Sequence, residues 1–417
     1  MNQSRTAGSH ALSRMKILIV SFSFPPNKDG IAEAAWSMAV GYAQRGHQVV
    51  VATGHLPQRH DFTPHLSIRV GQFEIDAELL HQSHADDEVR RMKQFILESE
   101  PDIVICHCWP VWSTTVAEET FPHLKVPKIL VSHGYPLLWN PQRKFPWGIR
   151  SFFRRLATTA SFPRSLRSYD RVVFASRKRD WSRHLDYRIA SVIRHPGIKI
   201  IPIGTDPEPA RNSDREFRKA HQLGDKFMIL CVSNYFPLKN QLLTLQSFRK
   251  ARIPNSVLVF IGSDFNDYSR RLMELDRSLQ TDQPGISVVF LEKLDRASTF
   301  AAFAACDVFL LTSTSETGPI VILEAMAAEK PFVTTDVGIV RELPGGIVAD
   351  GEAEIAAALG RLHEDESLRY RLGKEGRAAI LRDRSNQIIE ETREELVREL
   401  ERKSNLQAWP PTTTKPS

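Results

Sequence analysis

Short apolar runs alternate with helix-like segments along most of the chain. In the first half, six runs rich in Ile and Val are separated by segments long enough to form a helix: KILIVSF (16–22), HQVVVAT (47–53), DIVICH (102–107), KILVSHG (128–134), RVVFAS (171–176) and IKIIPIG (198–204). Near-continuous apolar runs of this length are typical of strands in a parallel sheet that has helices on both faces. The first half therefore predicts a doubly wound α/β domain.

The same pattern begins again after a polar, proline-containing stretch, GTDPEPARNSDRE (204–216). The second set of runs is FMILCVS (227–233), VLVFIGS (257–263), ISVVFL (286–291), DVFLLTS (307–313), PFVTT (331–335) and GGIVA (345–349). The pattern predicts two facing Rossmann-like, doubly wound domains with a cleft between them. Ligands of such sheets bind beyond the carboxyl ends of the strands, so we expect the chemistry in the loops that follow these runs.

The pattern also predicts where the chain divides. We expect a disordered extension (1–14), an N-terminal domain (15–205), a linker (206–216), a C-terminal domain (217–385), a charged helix (386–403) and a disordered tail (404–417). The charged helix carries one apolar stripe of Ile389, Leu396, Val397 and Leu400, which should face the protein.

Composition and charge narrow the class of protein. The 417 residues are 42% hydrophobic and 25% charged, which suits a globular protein with more than one core. A net charge of +6 favours anionic partners but lacks the dense basic tracts of a nucleic-acid arm. Four scattered cysteines indicate a reducing compartment, and we find no apolar run of signal-peptide or membrane-span type. The predicted location is the cytoplasm.

One stretch, SETGPIVILEAMAAEKPFVTTD (315–336), concentrates candidate chemistry. Pro319 is predicted as the first helical residue, and the free amides of a helix start are suited to phosphate. Glu316 precedes this helix and Glu324 lies inside it; eight residues span about 12 Å of helix, against roughly 5–10 Å between the carboxyl groups of a hydrolase. The two glutamates therefore suit separate parts of one long ligand. Their spacing alone also fits two solvated charges, but a carboxylate among apolar neighbours such as those of Glu324 needs a partner.

From Met15 to about Leu400, the order of motifs resembles the retaining glycosyltransferases of GT-B fold, family four, which share a Glu-x(7)-Glu signature. The resemblance is carried by SFSFPPNKDGIAEAAW, SHG, IPIGTD, CVSNYFPLKN, FIGSD and CDVFLLTSTSETGPIVILEAMA. It implies a nucleotide-sugar donor (a UDP-, GDP- or ADP-sugar) in the C-terminal domain. It also implies a glycan or lipid-linked glycan acceptor in the N-terminal domain, in the synthesis of surface polysaccharide or glycoconjugates.

The resemblance further assigns roles to residues. Glu324 would bind the ribose hydroxyls, Glu316 would lie beside the transferred sugar, and Lys239 matches the lysine that binds the diphosphate. His133 in VSHGYP matches the acceptor-side histidine, so the expected catalytic residues are Glu316, His133 and Lys239. The donor would also meet Thr317, the amides of Gly318, Ile320 and Val321, and the loops around Gly262 and Leu294. His107 in ICHCW is expected to be structural.

The chain departs from the family pattern at three positions, one of which is Ile203, which precedes GTD (204–206) where asparagine is common. Asn234 stands where many relatives have an arginine, so the charge of the leaving diphosphate would be neutralised by Lys239 and the helix start. Relatives often have two adjacent glycines in the first loop, whereas only Gly30 remains here, preceded by Asp29; Gly30 can still let the backbone approach a donor phosphate or an acceptor closely. Because no Asp-x-Asp pair follows a strand, we expect neither a catalytic metal nor another cofactor.

The segment 141–171 interleaves arginines with phenylalanines and has no acidic residue before Asp170. One interpretation is a helix that binds an anionic membrane surface, which would suit a lipid-linked acceptor. An equally good one is a surface helix whose aromatic side chains pack on the domain. RNA binding is a weaker third, since the segment forms no recognised module.

Two other functions stay open at the level of sequence. A nucleotide-sugar epimerase or a phosphorylase can share two Rossmann-like domains, and fold alone does not decide between activities. A non-catalytic relative that keeps the fold as a binding module is also conceivable because of Asn234.

Overall fold

The computed structural model describes residues 14–27, 29–56, 62–63, 68–75, 83–134, 161–176, 185–206, 214–279 and 285–408. They form two compact units. The first unit comprises the residues up to Phe174, Asp180–Lys199 and the residues from Arg393 onward. The second unit comprises Ala175–Arg179 and Ile200–Thr392.

The first unit is built on a sheet of eight strands among the described residues, in the order β3-β4-β2-β1-β5-β6-β7-β8. Its elements are β1 (Lys16–Val20), α1 (Gly30–Gln44), β2 (Gln48–Gly54), β3 (Phe62–Thr63), β4 (Ile68–Phe73), α2 (Ser83–Glu98), β5 (Ile103–His107), α3 (Trp112–Glu118), β6 (Lys128–Val131), β7 (Arg171–Phe174), α4 (Leu185–Val192) and β8 (Ile198–Ile200). Neighbouring strands from β4 to β7 run parallel, and β3 pairs antiparallel with β4.

The second unit is built on a sheet of six strands among the described residues, in the order β11-β10-β9-β12-β13-β14. Its elements are α5 (Asp214–Ala220), β9 (Phe227–Val232), α6 (Gln241–Ala251), β10 (Ser256–Gly262), α7 (Asp267–Leu279), β11 (Ile286–Glu292), α8 (Arg296–Ala305), β12 (Val308–Leu311), α9 (Ile320–Ala327), β13 (Phe332–Thr334), β14 (Gly346–Val348), α10 (Glu352–Glu364) and α11 (Glu366–Ala379). All five strand pairs are parallel.

These two sheets confirm the predicted fold class and all twelve predicted strands. The central strands are apolar without a break because both faces are buried. In β9, Met228 and Leu230 join one core cluster, while Ile229 and Cys231 join another on the opposite face. All four cysteines are buried and free.

The sequence analysis did not predict β3 and β4. Strand β4 reads IRVGQF and lacks the continuous apolar run of the central strands; only its two end residues, Ile68 and Phe73, are buried. Gly71 also weakens the strand pattern; a Cβ there would lie 2.6 Å from the ring of Phe95, so close packing explains the glycine.

The C-terminal helix α12 (Asn386–Ala408) is longer than predicted. Its stripe is buried as expected: Ile389, Leu396, Val397 and Leu400 are each at most 7% exposed. Residues 404–408, predicted as disordered tail, are helical: Leu406, Gln407 and Ala408 are good helix formers, and the first proline comes only at position 410. Likewise, residues 214–216 of the predicted linker begin α5. The predicted extension and tail otherwise lie outside the described residues, except for Arg14.

The basic segment 141–171 is described only from residue 161. Residues 161–167 are helical, with Phe162 and Leu166 buried at 1% and 0% exposure. The ring of Phe162 packs against Trp109, with centroids 4.4 Å apart, while Arg164 and Arg167 face solvent. In this part the surface-helix interpretation is correct, and Phe162 is not exposed to meet a membrane. Residues 141–160 lie outside the described residues.

Candidate active site

The strand order of the second unit brings distant loops together at one edge of its sheet. The crossovers from β9 lead to β10 and β11 on one side, and those from β12 lead to β13 and β14 on the other. Such a reversal is a topological switch point, where α/β sheets bind ligands beyond the carboxyl ends of the strands. Lys239 follows β9 and Glu316 follows β12, so both predicted residues lie at this point.

Lys239 and Glu316 form an ion pair. The Nζ of Lys239 lies 2.7 Å from Oε1 of Glu316, and the Ser313 hydroxyl donates to the same oxygen, also at 2.7 Å. The side chains are 31% and 13% exposed, respectively, so the pair is only partly open to solvent. The sequence predicted both residues but not their contact, because they are 77 positions apart.

The two loops that carry this pair are joined by hydrogen bonds. The Thr314 amide donates to the Leu238 carbonyl at 2.9 Å, and the Thr312 hydroxyl donates to the Asn240 carbonyl at 2.8 Å. Lys239 ends a 3₁₀ turn, and Asn240 follows it in the left-handed region with φ of 52°. Asparagine tolerates that conformation better than most residues. The hydrogen-bonded backbone of these two loops therefore fixes the position of Lys239.

Helix α9 starts beside the pair. Pro319 is the N-cap and Ile320 the first helical residue, one position later than predicted, because Pro319 has an extended ψ of 101°. The amides of Ile320 and Val321 belong to the first turn, which has no acceptors within its own helix. A Cβ on Gly318 would lie 2.3 Å from the terminal methyl of Ile203, so a larger residue here would displace that side chain. Thr317 completes the turn and is partly buried.

Glu324 is buried at 2% exposure, as its apolar surroundings predict. Its partner is Arg296, whose Nη2 lies 2.6 Å from Oε1. The guanidinium also lies over the Phe300 ring, 4.6 Å from its centroid, and the arginine side chain remains 54% exposed. The exposed cation therefore reaches the buried carboxylate from the solvent side. The sequence analysis missed Arg296, since it begins a different helix, α8.

Gly338 is a second residue that the sequence analysis missed. It adopts a φ of +52°, and a Cβ there would lie 2.5 Å from the carbonyl oxygen of Thr317 and 2.9 Å from that of Glu316. Both neighbours are backbone atoms and cannot move aside independently. Gly338 therefore lets the loop after β13 support the Glu316 loop; the signal for it was the glycine that follows the strand in TTDVG.

The remaining predicted donor residues lie at the same edge of the sheet. Asn234 is exposed just after β9, and its carbonyl accepts a hydrogen bond from Gln241 at 2.9 Å. Leu294 follows β11 and is partly buried. Gly262 ends β10, and a Cβ there would lie 2.4 Å from the Tyr235 ring, so packing by itself accounts for this glycine.

The first unit has a switch point of its own between β1 and β5. Gly30 begins α1 after β1, and no atom lies within 4 Å of the position of a Cβ. Asp29 is the N-cap of this helix, and its Oδ1 accepts from the amides of Ile31 and Ala32 at 2.9 Å. Its carboxylate therefore has a structural role in capping, which the sequence analysis did not foresee.

His133 lies in the loop after β6 and is partly exposed. Its Nε2 lies 3.1 Å from Nδ1 of His107, the last residue of β5, which is fully buried. Burial and the nearby charge of Arg393 lower the pKa of His133 to about 4, although the Asp29 carboxylate opposes them. Burial, with smaller contributions from His133 and Arg393, lowers the pKa of His107 well below its usual range. Both imidazoles are therefore neutral at pH 7.

Two features are absent from the described residues. No three His, Cys, Asp or Glu side chains in these ranges come together as metal ligands. Among the helices described here, none is long and apolar enough to span a membrane.

Several solved structures share this fold. Sucrose-phosphate synthase from Thermosynechococcus elongatus is 19% identical, with a TM-score of 0.73 over 93% of this chain and 99% of its own. HepE from Anabaena, in complex with UDP and glucose, is 18% identical, with a TM-score of 0.71 over 93% and 100%. WaaG, a glycosyltransferase involved in lipopolysaccharide biosynthesis, is 18% identical, with a TM-score of 0.65 over 93% and 99%.

Family models match both halves of the sequence. Residues 213–379 match the glycosyl transferases group 1, and residues 29–180 match the glycosyl transferase 4-like domain. Both parts of the chain are thus similar to glycosyltransferases, and the fold is of GT-B type. A comparison with curated protein sequences gives no match.

Proposed function

We propose that this protein is a retaining glycosyltransferase that moves a sugar from a nucleotide-sugar to a glycan or lipid-linked glycan, in the cytoplasm or at the inner surface of a membrane. The observation that carries the proposal is the Lys239–Glu316 pair, 2.7 Å apart, at the switch point and next to the start of α9. UDP-sugars are the first donors to test, because HepE was solved with UDP and glucose. A glycan acceptor is suggested by WaaG, which is involved in lipopolysaccharide biosynthesis.

The leaving group determines what this site must supply. Breaking the sugar–phosphate bond places negative charge on the nucleoside diphosphate and positive charge on the sugar. The Lys239 ammonium and the first amides of α9 are oriented donors for the departing diphosphate, and such preorganised donors stabilise a transition state strongly. Glu324 would accept hydrogen bonds from the ribose hydroxyls, since a carboxylate offers several lone pairs.

Glu316 has two roles in this proposal. It holds Lys239 in place, and it lies beside the transferred sugar. We propose that the acceptor attacks from the face that the diphosphate leaves, and that a diphosphate oxygen takes the acceptor proton. Isolation of a sugar covalently bound to Glu316 would contradict this route.

We propose that the reaction needs no divalent ion, because Lys239 and the helix start supply positive potential to the diphosphate. Turnover should then be unchanged by a chelator. Turnover that stops in chelator and returns with manganese would refute this part of the proposal.

The central test is donor use by variants of the pair. Purified protein is incubated with UDP-, GDP- and ADP-sugars, and nucleoside diphosphate release and calorimetric binding are followed. Lys239→Met should lower release by about 10²–10³-fold, as loss of one oriented donor does. Glu316→Gln should also lower release, because it removes the charge that holds Lys239 in place. Matched controls are Lys250→Met and Glu352→Gln, which remove an exposed ion pair of 3.1 Å elsewhere on the second unit and should leave release unchanged.

The outcomes distinguish the other functions. Interconversion of a free nucleotide-sugar without acceptor would indicate an epimerase. No binding of any nucleotide-sugar by the wild-type protein would favour a non-catalytic module. NMR of the product formed first tests whether the anomeric configuration of the donor is retained. An inverted anomer would overturn the retaining mechanism but would still be consistent with a transferase.

A further inference from the structure

The paired histidines of the first unit make a contact that the proposed mechanism does not use. His107 and His133 end or follow adjacent parallel strands, with His107 in register with Val131. Their rings are stacked, with centroids 5.4 Å apart and planes 27° apart, and His107 Nδ1 lies 3.1 Å from His133 Nε2. This distance is a hydrogen bond, so one of these nitrogens donates a proton and the other accepts it.

The buried environment of His107 decides which nitrogen is the donor. His107 Nε2 is buried and has no hydrogen-bond partner among the described residues. A neutral imidazole carries one N–H, and an unpaired buried N–H is rarer and more costly than an unpaired acceptor. The proton of His107 therefore belongs on Nδ1, where it is bonded. It follows that His107 donates and His133 Nε2 accepts.

This hydrogen bond fixes the other end of the His133 ring. Because its Nε2 carries no proton, neutral His133 must carry one on Nδ1. We infer that His107 is a positioning residue that holds His133 as an Nδ1–H hydrogen-bond donor. The inference rests on the proposed function: His133 would bind an oxygen of the transferred sugar or acceptor, and would not serve as the base that takes the acceptor proton.

The charged groups near the two rings agree with this assignment. Arg393 opposes protonation of both rings, and Asp29, which favours a positive charge on His133, is already bonded to the α1 amides and to the Ser23 hydroxyl. A substrate oxygen that meets His133 would therefore meet a neutral N–H group.

The decisive measurement is made on the wild-type protein. In the full-length wild-type protein with ¹⁵N-labelled histidine, ¹⁵N chemical shifts at pH 7 show which ring nitrogen of His133 is protonated, and His133→Gln assigns its signals. We expect a protonated Nδ1 and an unprotonated Nε2. A protonated Nε2 would overturn the inference whether or not the protein consumes a nucleotide-sugar.

Variants of His107 connect the tautomer to activity. His107→Asn keeps a side-chain N–H near the place of Nδ1, whereas His107→Leu removes it. We expect His107→Leu to abolish the tautomer preference of His133 and to lower kcat/KM for transfer by about tenfold, as loss of one neutral hydrogen bond does. His107→Asn should keep most of the wild-type kcat/KM.

Donor binding serves as the control. Calorimetric affinity for UDP should be the same in both variants and in the wild type, since the inference concerns only the first unit, and thermal unfolding checks that each variant is folded. Equal loss of transfer in folded Asn and Leu variants, or an unchanged His133 tautomer in the Leu variant, would contradict the positioning role. Absence of UDP binding by the wild type would count against the proposed function instead.

Discussion

At the residue scale, the buried carboxylate of Glu324 shows what one position can reveal. Its apolar neighbours predicted burial and a need for a partner, and the structure supplies Arg296 at 2.6 Å. The identity of that partner was not predictable, because Arg296 is 28 positions earlier and belongs to another helix. An exposed arginine thus pairs with the buried carboxylate that, in the proposed function, binds the ribose hydroxyls.

Arg296 should therefore affect recognition of the ribose. We expect Arg296→Leu to weaken UDP binding by about tenfold, because the buried charge of Glu324 loses its ion-pair partner. The wild-type preference for UDP over 2′-deoxy-UDP should shrink in the same variant, since Glu324 would no longer be held to accept from the diol. Calorimetry with both nucleotides measures this.

The matched control for that experiment is Arg270→Leu, which removes an exposed arginine paired with Asp267 one helix earlier. It should bind both nucleotides as the wild type does. If Arg296→Leu binds UDP normally and keeps the preference, Arg296 has no part in the donor site.

At the scale of elements, three loops determine the position of the Lys239–Glu316 pair. The loop after β9 carries Lys239, the loop after β12 carries Glu316, and the loop after β13 supports the second through Gly338. Hydrogen bonds of Thr312 and Thr314 join the first two loops. The parallel order of β9, β12 and β13 brings all three to the same edge.

Gly338→Ala tests the supporting loop. The new Cβ would lie 2.5 Å from a backbone oxygen, and φ of +52° is unfavourable for alanine, so the free energy of unfolding should fall by about 1–3 kcal/mol. Release of nucleoside diphosphate should fall as well, because the Glu316 loop must move. Denaturant unfolding and the donor assay measure the two effects.

Gly360→Ala is the control for this substitution. Gly360 lies inside α10, without a positive φ and with no atom within 4 Å of the new Cβ. Alanine there should stabilise the protein by about 0.5–1 kcal/mol and leave donor use unchanged. A Gly338→Ala protein as stable and active as the wild type would show that the loop after β13 does not support Glu316.

At the scale of the whole molecule, the C-terminal helix belongs to both compact units. The boundary falls between Thr392 and Arg393, so the last part of α12 is part of the first unit although it follows the second in sequence. Within the first unit, Glu394 pairs with His47, and Glu399 pairs with Arg171 at 2.7 Å. These contacts explain why the chain returns to its first unit after completing the second.

The ion pairs of Glu399 make the stability of this helix–sheet contact in the first unit pH-dependent. Hydrogen bonds from Lys403 and Arg171 lower its pKa from an ordinary 4.5 to about 2. A carboxylate with a lowered pKa stabilises the folded protein above its unfolded pKa, and that stabilisation is lost as the pH falls from about 4.5 towards 2. Glu399→Gln should lower Tm at pH 6, and the difference from wild type should vanish as the pH approaches 2.

The size of this effect should be modest, about 1 kcal/mol or less, because the pairs lie near the surface. Glu395→Gln, an exposed glutamate on the same helix, should show no such pH-dependent difference. A Tm difference for Glu399→Gln that persists unchanged to acid pH would exclude an ionic contribution from this residue.

Local sequence patterns predict the two doubly wound domains, the central strands and the residues that lie at the carboxyl edges of the two sheets. They do so because local burial is recorded in local patterns: strands buried on both faces are continuously apolar, and Glu324 is conspicuous in an apolar helix. The tertiary structure alone decided the strand order, the Lys239–Glu316 and Arg296–Glu324 pairs, the support from Gly338 and the His107–His133 hydrogen bond. Each of these depends on which distant segments become neighbours, and packing of the whole chain, rather than any local pattern, selects those neighbours.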